Sequence, residues 1–185
     1  MLALKLSDDA ELRALEPWQA GEFAAHVAAA REHLAPWIPW ATTVVDDDTA
    51  ATFLQRYADE QARGNGRILG IWLDGTLMGG TLFRVWDSRS GNCEIGVWLD
   101  PAAVGRGLIT AAATAMIDWA FRIRGMSRVE WLTFATNTRS IAVARRLGMT
   151  REGLLRQAFP HNGDRHDVEI WAVLATEWPR VTGLG

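Results

Sequence analysis

The residues of this 185-residue chain best suited to chemistry lie between Glu94 and Leu108. Glu94 to Leu99 alternates like a strand, Asp100 to Val104 reads as a short loop, and Gly105-Arg106-Gly107 opens a run of helix formers. A strand, a glycine turn and a helix start make an anion site, because glycine lets the backbone come close and first-turn N–H groups lack intrahelical partners. Phosphate is the natural ligand. Taken alone, the Gly-Arg-Gly turn could equally serve only to tighten a strand-to-helix connection. Nucleotide fingerprints do not fit, since Thr110 stands where a third glycine would complete GxGxxG and no Gly-Lys-Ser/Thr follows. Another phosphate-bearing cofactor must be considered.

Strand alternation puts Glu94, Gly96 and Trp98 on one face, and Cys93, Ile95, Val97 and Leu99 on the other. The first face offers a carboxylate that burial could turn into a general base, or that could simply form a salt bridge at a rim. The second reads as core, so the thiol of Cys93 is expected to be buried and inert. Asn137 is a natural helix N-cap, with the helix of Ile141 to Leu147 following it. No metal site is expected: His161 and His166-Asp167 flank a turn, His26 and His33 lie seven apart on a helix, and no third ligand is suitably spaced. The turn histidines are expected at the surface. Trp37 and Trp40 sit in APWIPWA, where prolines prevent regular structure; rigid aromatics on such a loop suit recognition of a peptide end or a hydrophobic amine, or else cover the core. The adjacent Asp46, Asp47 and Asp48 could attract a positive charge.

These residues must be positioned by a mixed α/β arrangement. Residues 2–6 and 11–15 form a pair of short apolar-alternating runs around Asp8-Asp9, the pattern of a hairpin. Pro17 to Leu34 predicts a helix that Pro36 stops, and Thr49 to Ala62 a second, with the three aspartates at its positive dipole end. Ile68 to Leu73 and Thr76 to Trp86 flank Asp74-Gly75, a hairpin signal. Cys93 to Leu99 is a strand, Gly105 to Phe121 the longest helix, Arg128 to Phe134 a strand and Thr138 to Leu147 a helix closed by Gly148. Two strands, around Glu152 to Phe159 and Val168 to Leu174, complete the order ββ-α-α-βββ-α-β-α-ββ.

Composition narrows the class. Hydrophobic residues make up 49% and charged residues 22%, a core-forming balance, and no apolar run approaches the roughly 20 residues of a membrane span. The start MLALKLSDDA lacks a signal-peptide pattern, so a cytoplasmic location is expected. The lone cysteine excludes an internal disulfide and a thiolate zinc cluster. Net charge is −3, which argues against nucleic-acid binding as the main activity. It is unevenly spread: residues 1–100 carry 8 basic and 15 acidic side chains, and residues 101–185 carry 11 and 7. An anionic ligand is thus favoured by the second half, unless folding mixes the two. No internal repeat or linker divides residues 1–185, which read as one domain.

Five elements in order resemble the GNAT acyltransferase superfamily, and more closely its RimJ/RimL branch of N-terminal protein acetyltransferases: HLAPWIPWA, EIGVWLDP, Asn137-Thr138-Arg139-Ser140 with AVARRLGM after it, Glu152-Gly153, and HNGDRHDVEIWA. The resemblance implies a GNAT fold, α/β (α+β), with a mixed, mostly antiparallel sheet flanked by helices and splayed central strands at the cofactor site. It implies acetyl-CoA-dependent N-acetylation of a primary amine, foremost the N-terminal α-amine of a ribosomal or other protein, and a homodimer. An antibiotic or other small amine as acceptor, succinyl-CoA as donor, and a non-catalytic acyl-CoA sensor are the alternatives.

Carried over by position, the backbone of Val97, Trp98 and Leu99 is expected to pair with the pantetheine arm, and the amides of Val104, Gly105, Arg106, Gly107, Leu108 and Ile109 to hold the pyrophosphate. Asn137 is expected to hydrogen-bond the pantetheine or to hold the two strands apart, Ser140 to protonate the leaving thiolate, and Arg139, Arg145 and Arg146 could meet the phosphates or form a solvated face. Trp37, Trp40 and His161 are expected on the acceptor side. Three positions depart from the pattern. Ala102 replaces the usual Gln or Arg, Trp171 the frequent Tyr, and Phe159-Pro160-His161 a stretch that holds a glutamate in some relatives. The base is then Glu94, His161 or relayed water.

Overall fold

The computed structural model describes residues 3–179. Leu2, the first residue of the expected 2–6 strand, lies outside them. Eight strands form one sheet: β1 (Ala3–Lys5), β2 (Ala10–Ala14), β3 (Ile68–Leu73), β4 (Thr76–Asp87), β5 (Asn92–Leu99), β6 (Arg128–Phe134), β7 (Thr150–His161) and β8 (Asp164–Leu174). Their spatial order is β1-β2-β3-β4-β5-β6-β8-β7. Every neighbouring pair is antiparallel except β5 and β6, which run parallel. The chain between those two strands must therefore cross over, and it does so through a helix.

Four α-helices flank the sheet: α1 (Ala20–Leu34), α2 (Asp47–Ala62), α3 (Leu108–Asp118) and α4 (Thr138–Arg146). Pro17–Gln19 forms a 3-10 turn before α1, where proline's fixed φ suits an entry. Asp46 caps α2: its carboxylate accepts from Thr49 N at 2.9 Å, and Thr49 Oγ1 accepts from Asp46 N at 3.1 Å. The expected helix from Gly105 to Phe121 is divided. Gly105 and Gly107 hold φ of 89° and 75°, outside the right-handed helical region, so α3 starts at Leu108 and passes into a wider π turn at Trp119–Ile123.

The alternation of the strands sorts their apolar side chains onto two sides. Ile71, Cys93, Ile95 and Val129 pack with Ala112, Met116 and Ile117 of α3 and Ile141 and Ala144 of α4. Trp72, Leu82 and Trp98 pack with Phe23 and Val27 of α1 and Leu54 of α2. Each fully buried side chain of this size contributes about 1.5–3 kcal/mol. The Trp98 indole rests on bare backbone, since a Cβ at Gly80 would lie 2.2 Å from its ring.

Candidate active site between the splayed strands

Pairing of β5 with β6 covers only Asn92, Cys93 and Glu94 against Arg128, Val129 and Glu130. Beyond Glu94 the strands part. On the other side of β5 the register with β4 runs from Phe83↔Ile95 to Val85↔Glu94, leaving Arg84 as an extra residue. Such a bulge bends and twists its strand, and here it sits level with the point of separation. The gap opens a cleft of about 1240 Å³ walled by Ile95 to Leu99 and by Trp131 to Phe134. That volume suits an extended cofactor-sized ligand.

One end of the cleft is the glycine turn. Asp100 accepts from Ala102 N at 2.8 Å and fixes a 3-10 turn over Pro101–Ala103; the two positive-φ glycines then turn the chain, and buried Leu108 anchors the helix start in the core. Val104, Gly105, Gly107, Leu108 and Ile109 all line the cleft. A Cβ at Gly105 or Gly107 would meet no heavy atom within 4 Å, so backbone conformation rather than crowding calls for glycine there. The Arg106 side chain points elsewhere and pairs with Asp9, in the β1–β2 connection. Only its backbone belongs to the turn.

A second wall is α4, which packs against α3. Asn137 Oδ1 caps the helix by accepting from Ser140 N at 3.1 Å. Ser140 Oγ in turn accepts from the Trp131 indole N–H at 2.8 Å. Asn137, Arg139, Ser140 and Arg146 line the cleft. Arg145 does not: the helix turns it outward, and its guanidinium stacks on Trp171, 5.5 Å from the ring centre. It thus lies outside the cleft in which the family pattern would have placed it, whereas Arg146 faces in.

Glu94 is 5% exposed at the cleft, and both its oxygens bind Arg84, Nε to Oε1 and Nη2 to Oε2, each over 2.5 Å. Burial pushes its carboxyl above the usual carboxylate range, with the Arg84 guanidinium opposing that rise. The expected buried glutamate is present, and it is the partner of an ion pair. Tyr57 of α2, its phenol pushed up by burial, lines the cleft beside this pair.

On the same side Trp40 meets Trp98 edge-on, with ring centres 5.4 Å apart, and also packs on Phe23 and Phe53. Trp37 is 38% exposed and faces Phe134. Both line the cleft, so the proline-braced segment serves as wall and as core cover at once. His161 is a correction. It is buried, its ring Nε2 lies 2.7 Å from Ala35 O, and it ties the β7–β8 hairpin to the end of α1 without lining the cleft. His166 stacks on Phe134, with its Nε2 3.1 Å from His161 O. Neither is the free surface residue that the turn implied. Asp46, Asp47 and Asp48 serve the start of α2 and line none of the cleft. Cys93 is buried as expected, its thiol pushed up to about 12 by desolvation, which removes it as a nucleophile at neutral pH.

Arg56, Tyr57, Arg84, Trp131 and Phe134 were not legible as site residues. Four of them sit in regular helix or strand with nothing local to mark them, and the Arg84 bulge has no signature in its own sequence. An unexpected Arg inside the strand TLMGGTLFRVWD was the one available signal.

Known proteins agree with this geometry. The family described as acetyltransferase (GNAT) domain matches residues 10–150. A Bacillus subtilis (strain 168) protein named "Putative ribosomal N-acetyltransferase YdaF" is 30% identical over 179 residues, 96% of this chain and 98% of its own. The ribosomal-protein-serine acetyltransferase of Escherichia coli (strain K12) is 25% identical over 169 residues, 91% and 94% of the two chains. Among solved structures, RimL, a ribosomal L7/L12 alpha-N-protein acetyltransferase in complex with coenzyme A, superposes with a TM-score of 0.88 at 26% identity, covering 93% of this chain and 97% of that one. With its central strands parted over a glycine turn and a match spanning most of its length, the chain belongs to the GNAT acetyltransferase family.

Proposed function

We propose that this protein transfers an acetyl group from acetyl-CoA to the free α-amine at the N-terminus of a protein, and that its acceptor is a ribosomal protein. The observation that carries the reading is the parting of β5 from β6 after Glu94, which leaves the β6-facing edge of Val97, Trp98 and Leu99 without a strand partner among the described residues. A pantetheine arm carries amides able to bond that edge as an added strand would. The positive-φ turn and the α3 start suit a pyrophosphate, and Arg139 and Arg146 can meet its charge. YdaF and the Escherichia coli enzyme carry ribosomal acceptors in their names.

Bound acetyl-CoA supplies an activated thioester carbonyl. The protein's part is to orient it and to manage two protons. Ser140 Oγ accepts from Trp131, a donor-only group, so its own hydrogen is free to go to the departing thiolate. On the acceptor side, Arg56 and Arg84 oppose the ammonium form of the amine. An α-amine, with a pKa of about 7.7–8.0, is already roughly a tenth neutral at pH 7. The Glu94 carboxylate, held by Arg84, can take the remaining proton directly or through water. Action in the cytoplasm by a single catalytic unit that pairs as a homodimer completes the reading.

The test is acetyl-CoA-dependent modification of matched peptides, read by thiol release and mass spectrometry. A free N-terminus should be acetylated, and the same peptide with that amine blocked should not, even where it contains lysine. Turnover of a small amine such as an aminoglycoside, with no N-terminus modified among the cell's ribosomal proteins, would replace this reading.

A further inference from the structure

The charge around the cleft is lopsided. Among the described residues Arg56, Arg84, Arg139 and Arg146 line it, against one carboxylate, Glu94, whose two oxygens Arg84 already occupies. The four arginines divide by wall. Arg139 and Arg146 lie on α4, which packs against α3 beside the glycine turn, and are placed to face the cofactor's phosphates. Arg56 and Arg84 lie on the opposite side of the sheet with Tyr57, Trp40 and Trp98. Cofactor phosphates bound at the turn leave this second pair with one positive charge, that of Arg56, in excess of Glu94.

Arg56 is the freer of the two. Its guanidinium lies 4.9 Å from the centre of the Tyr57 ring and 5.3 Å from that of Phe53, and among the described residues it forms no ion pair. A guanidinium held on ring faces keeps its N–H edge available and gives up little entropy when it binds a planar carboxylate. Arg56, Tyr57, Arg84 and Glu94 line the same cleft, which brings the two guanidiniums to one wall.

We propose that this locus reads a negative charge close to the reacting amine, with Arg56 as the main contact and Arg84 behind it, so that the preferred acceptor is a peptide whose first residues after the amine include Asp or Glu. The inference rests on the N-terminal acetylation reading. It replaces the attraction of a cationic acceptor that Asp46 to Asp48 suggested, because Asp46 caps α2, Asp47 and Asp48 lie in its first turn, and none of the three lines the cleft. Opposite charge near a binding site favours the matching partner and penalises the like-charged one.

The test compares peptides that differ only at the second residue, Glu, Gln or Lys, as acceptors for the full-length enzyme. The expected kcat/KM order is Glu above Gln above Lys, with Glu about tenfold or more over Lys at low salt and the ratio shrinking as salt rises. Arg56→Gln should bring the Glu-to-Lys ratio towards one and Arg56→Glu should invert it, whereas Arg63→Gln, on the far end of α2 and paired with Glu60, should leave it in place. Affinities of the same three peptides in their acetylated form for the CoA-loaded enzyme supply a readout independent of turnover. Equal turnover of all three peptides, or a preference untouched by Arg56→Gln, overturns the proposal while the acetyltransferase reading stands. Preferential binding of the acidic product, lost in Arg56→Gln, without turnover of any free peptide upholds the reading of negative charge by Arg56 and overturns the peptide-acetylation reading. Neither turnover nor preferential binding overturns both.

Discussion

The Trp131 indole donates to the Ser140 hydroxyl over 2.8 Å, across the turn that joins β6 to α4. Because the indole can only donate, this bond fixes the serine oxygen and leaves its hydrogen to the cleft. Ser140→Ala is expected to lower kcat about 10- to 1000-fold, the range of a lost general acid, with KM for acetyl-CoA nearly unchanged. Trp131→Phe keeps the ring and removes the donor, so its kcat should fall only about fivefold. Thiol-release kinetics decide between these values, and full activity in Ser140→Ala removes the serine from the mechanism.

Acetyl-CoA should raise the melting temperature, since a ligand bound only by the folded state stabilises it by about 2.7 kcal/mol at a hundred times its Kd. Gly107 holds φ at 75°, and Gly107→Val should cost about 1–2 kcal/mol of stability and abolish the ligand-induced shift. Asn adopts this conformation more readily, so Gly107→Asn should retain part of the shift. Differential scanning fluorimetry with and without acetyl-CoA separates the outcomes.

The Glu94–Arg84 pair makes stability depend on pH in a specific direction. Burial raises the folded-state carboxyl pKa, so the native state holds its proton more tightly, and stability from this group falls as pH rises from the unfolded value of 4.5 through the folded one. Arg84→Met removes the opposing charge and widens that window upward. It should destabilise by about 1–3 kcal/mol at pH 8, below the full cost of stranding a buried charge because Arg84 is half-exposed, and by less at pH 5. Urea unfolding at the two pH values measures the difference. An equal loss at both means that the carboxylate is not being stranded.

Trp37 and Trp40 should separate recognition from folding. Trp40 packs among Phe23, Phe53 and Trp98, and Trp40→Ala should cost about 3 kcal/mol or more and lower the melting temperature. Trp37 is more exposed, so Trp37→Ala should leave the melting temperature within a few degrees while raising KM for the peptide more than for acetyl-CoA. A rise in KM for acetyl-CoA alone would move Trp37 to the cofactor side.

What the amino-acid order by itself determined is what depends on neighbours along the chain. Alternation in Cys93 to Leu99 sorts thiol and carboxylate onto opposite faces, the Asp74-Gly75 turn closes a hairpin, Asn137 caps its helix, and the glycines at 105 and 107 mark a turn between strand and helix, although the start of that helix at Leu108 was set by their positive φ. These are consequences of backbone preference and side-chain period, and they placed the strand, turn and helix of the cofactor end. Tertiary structure decided the direction and company of each side chain. A helix of nine residues presents Arg145 to Trp171 and Arg146 to the cleft, a difference of one position that only the packing of α4 resolves. His161 finds Ala35 O 126 residues away, which converts an apparent acceptor ligand into a tie between elements. Arg84 meets Glu94 through a bulge, and Arg56 reaches the same wall from another helix. Charges brought together across the sheet set the character of that wall, and no run of adjacent residues records them.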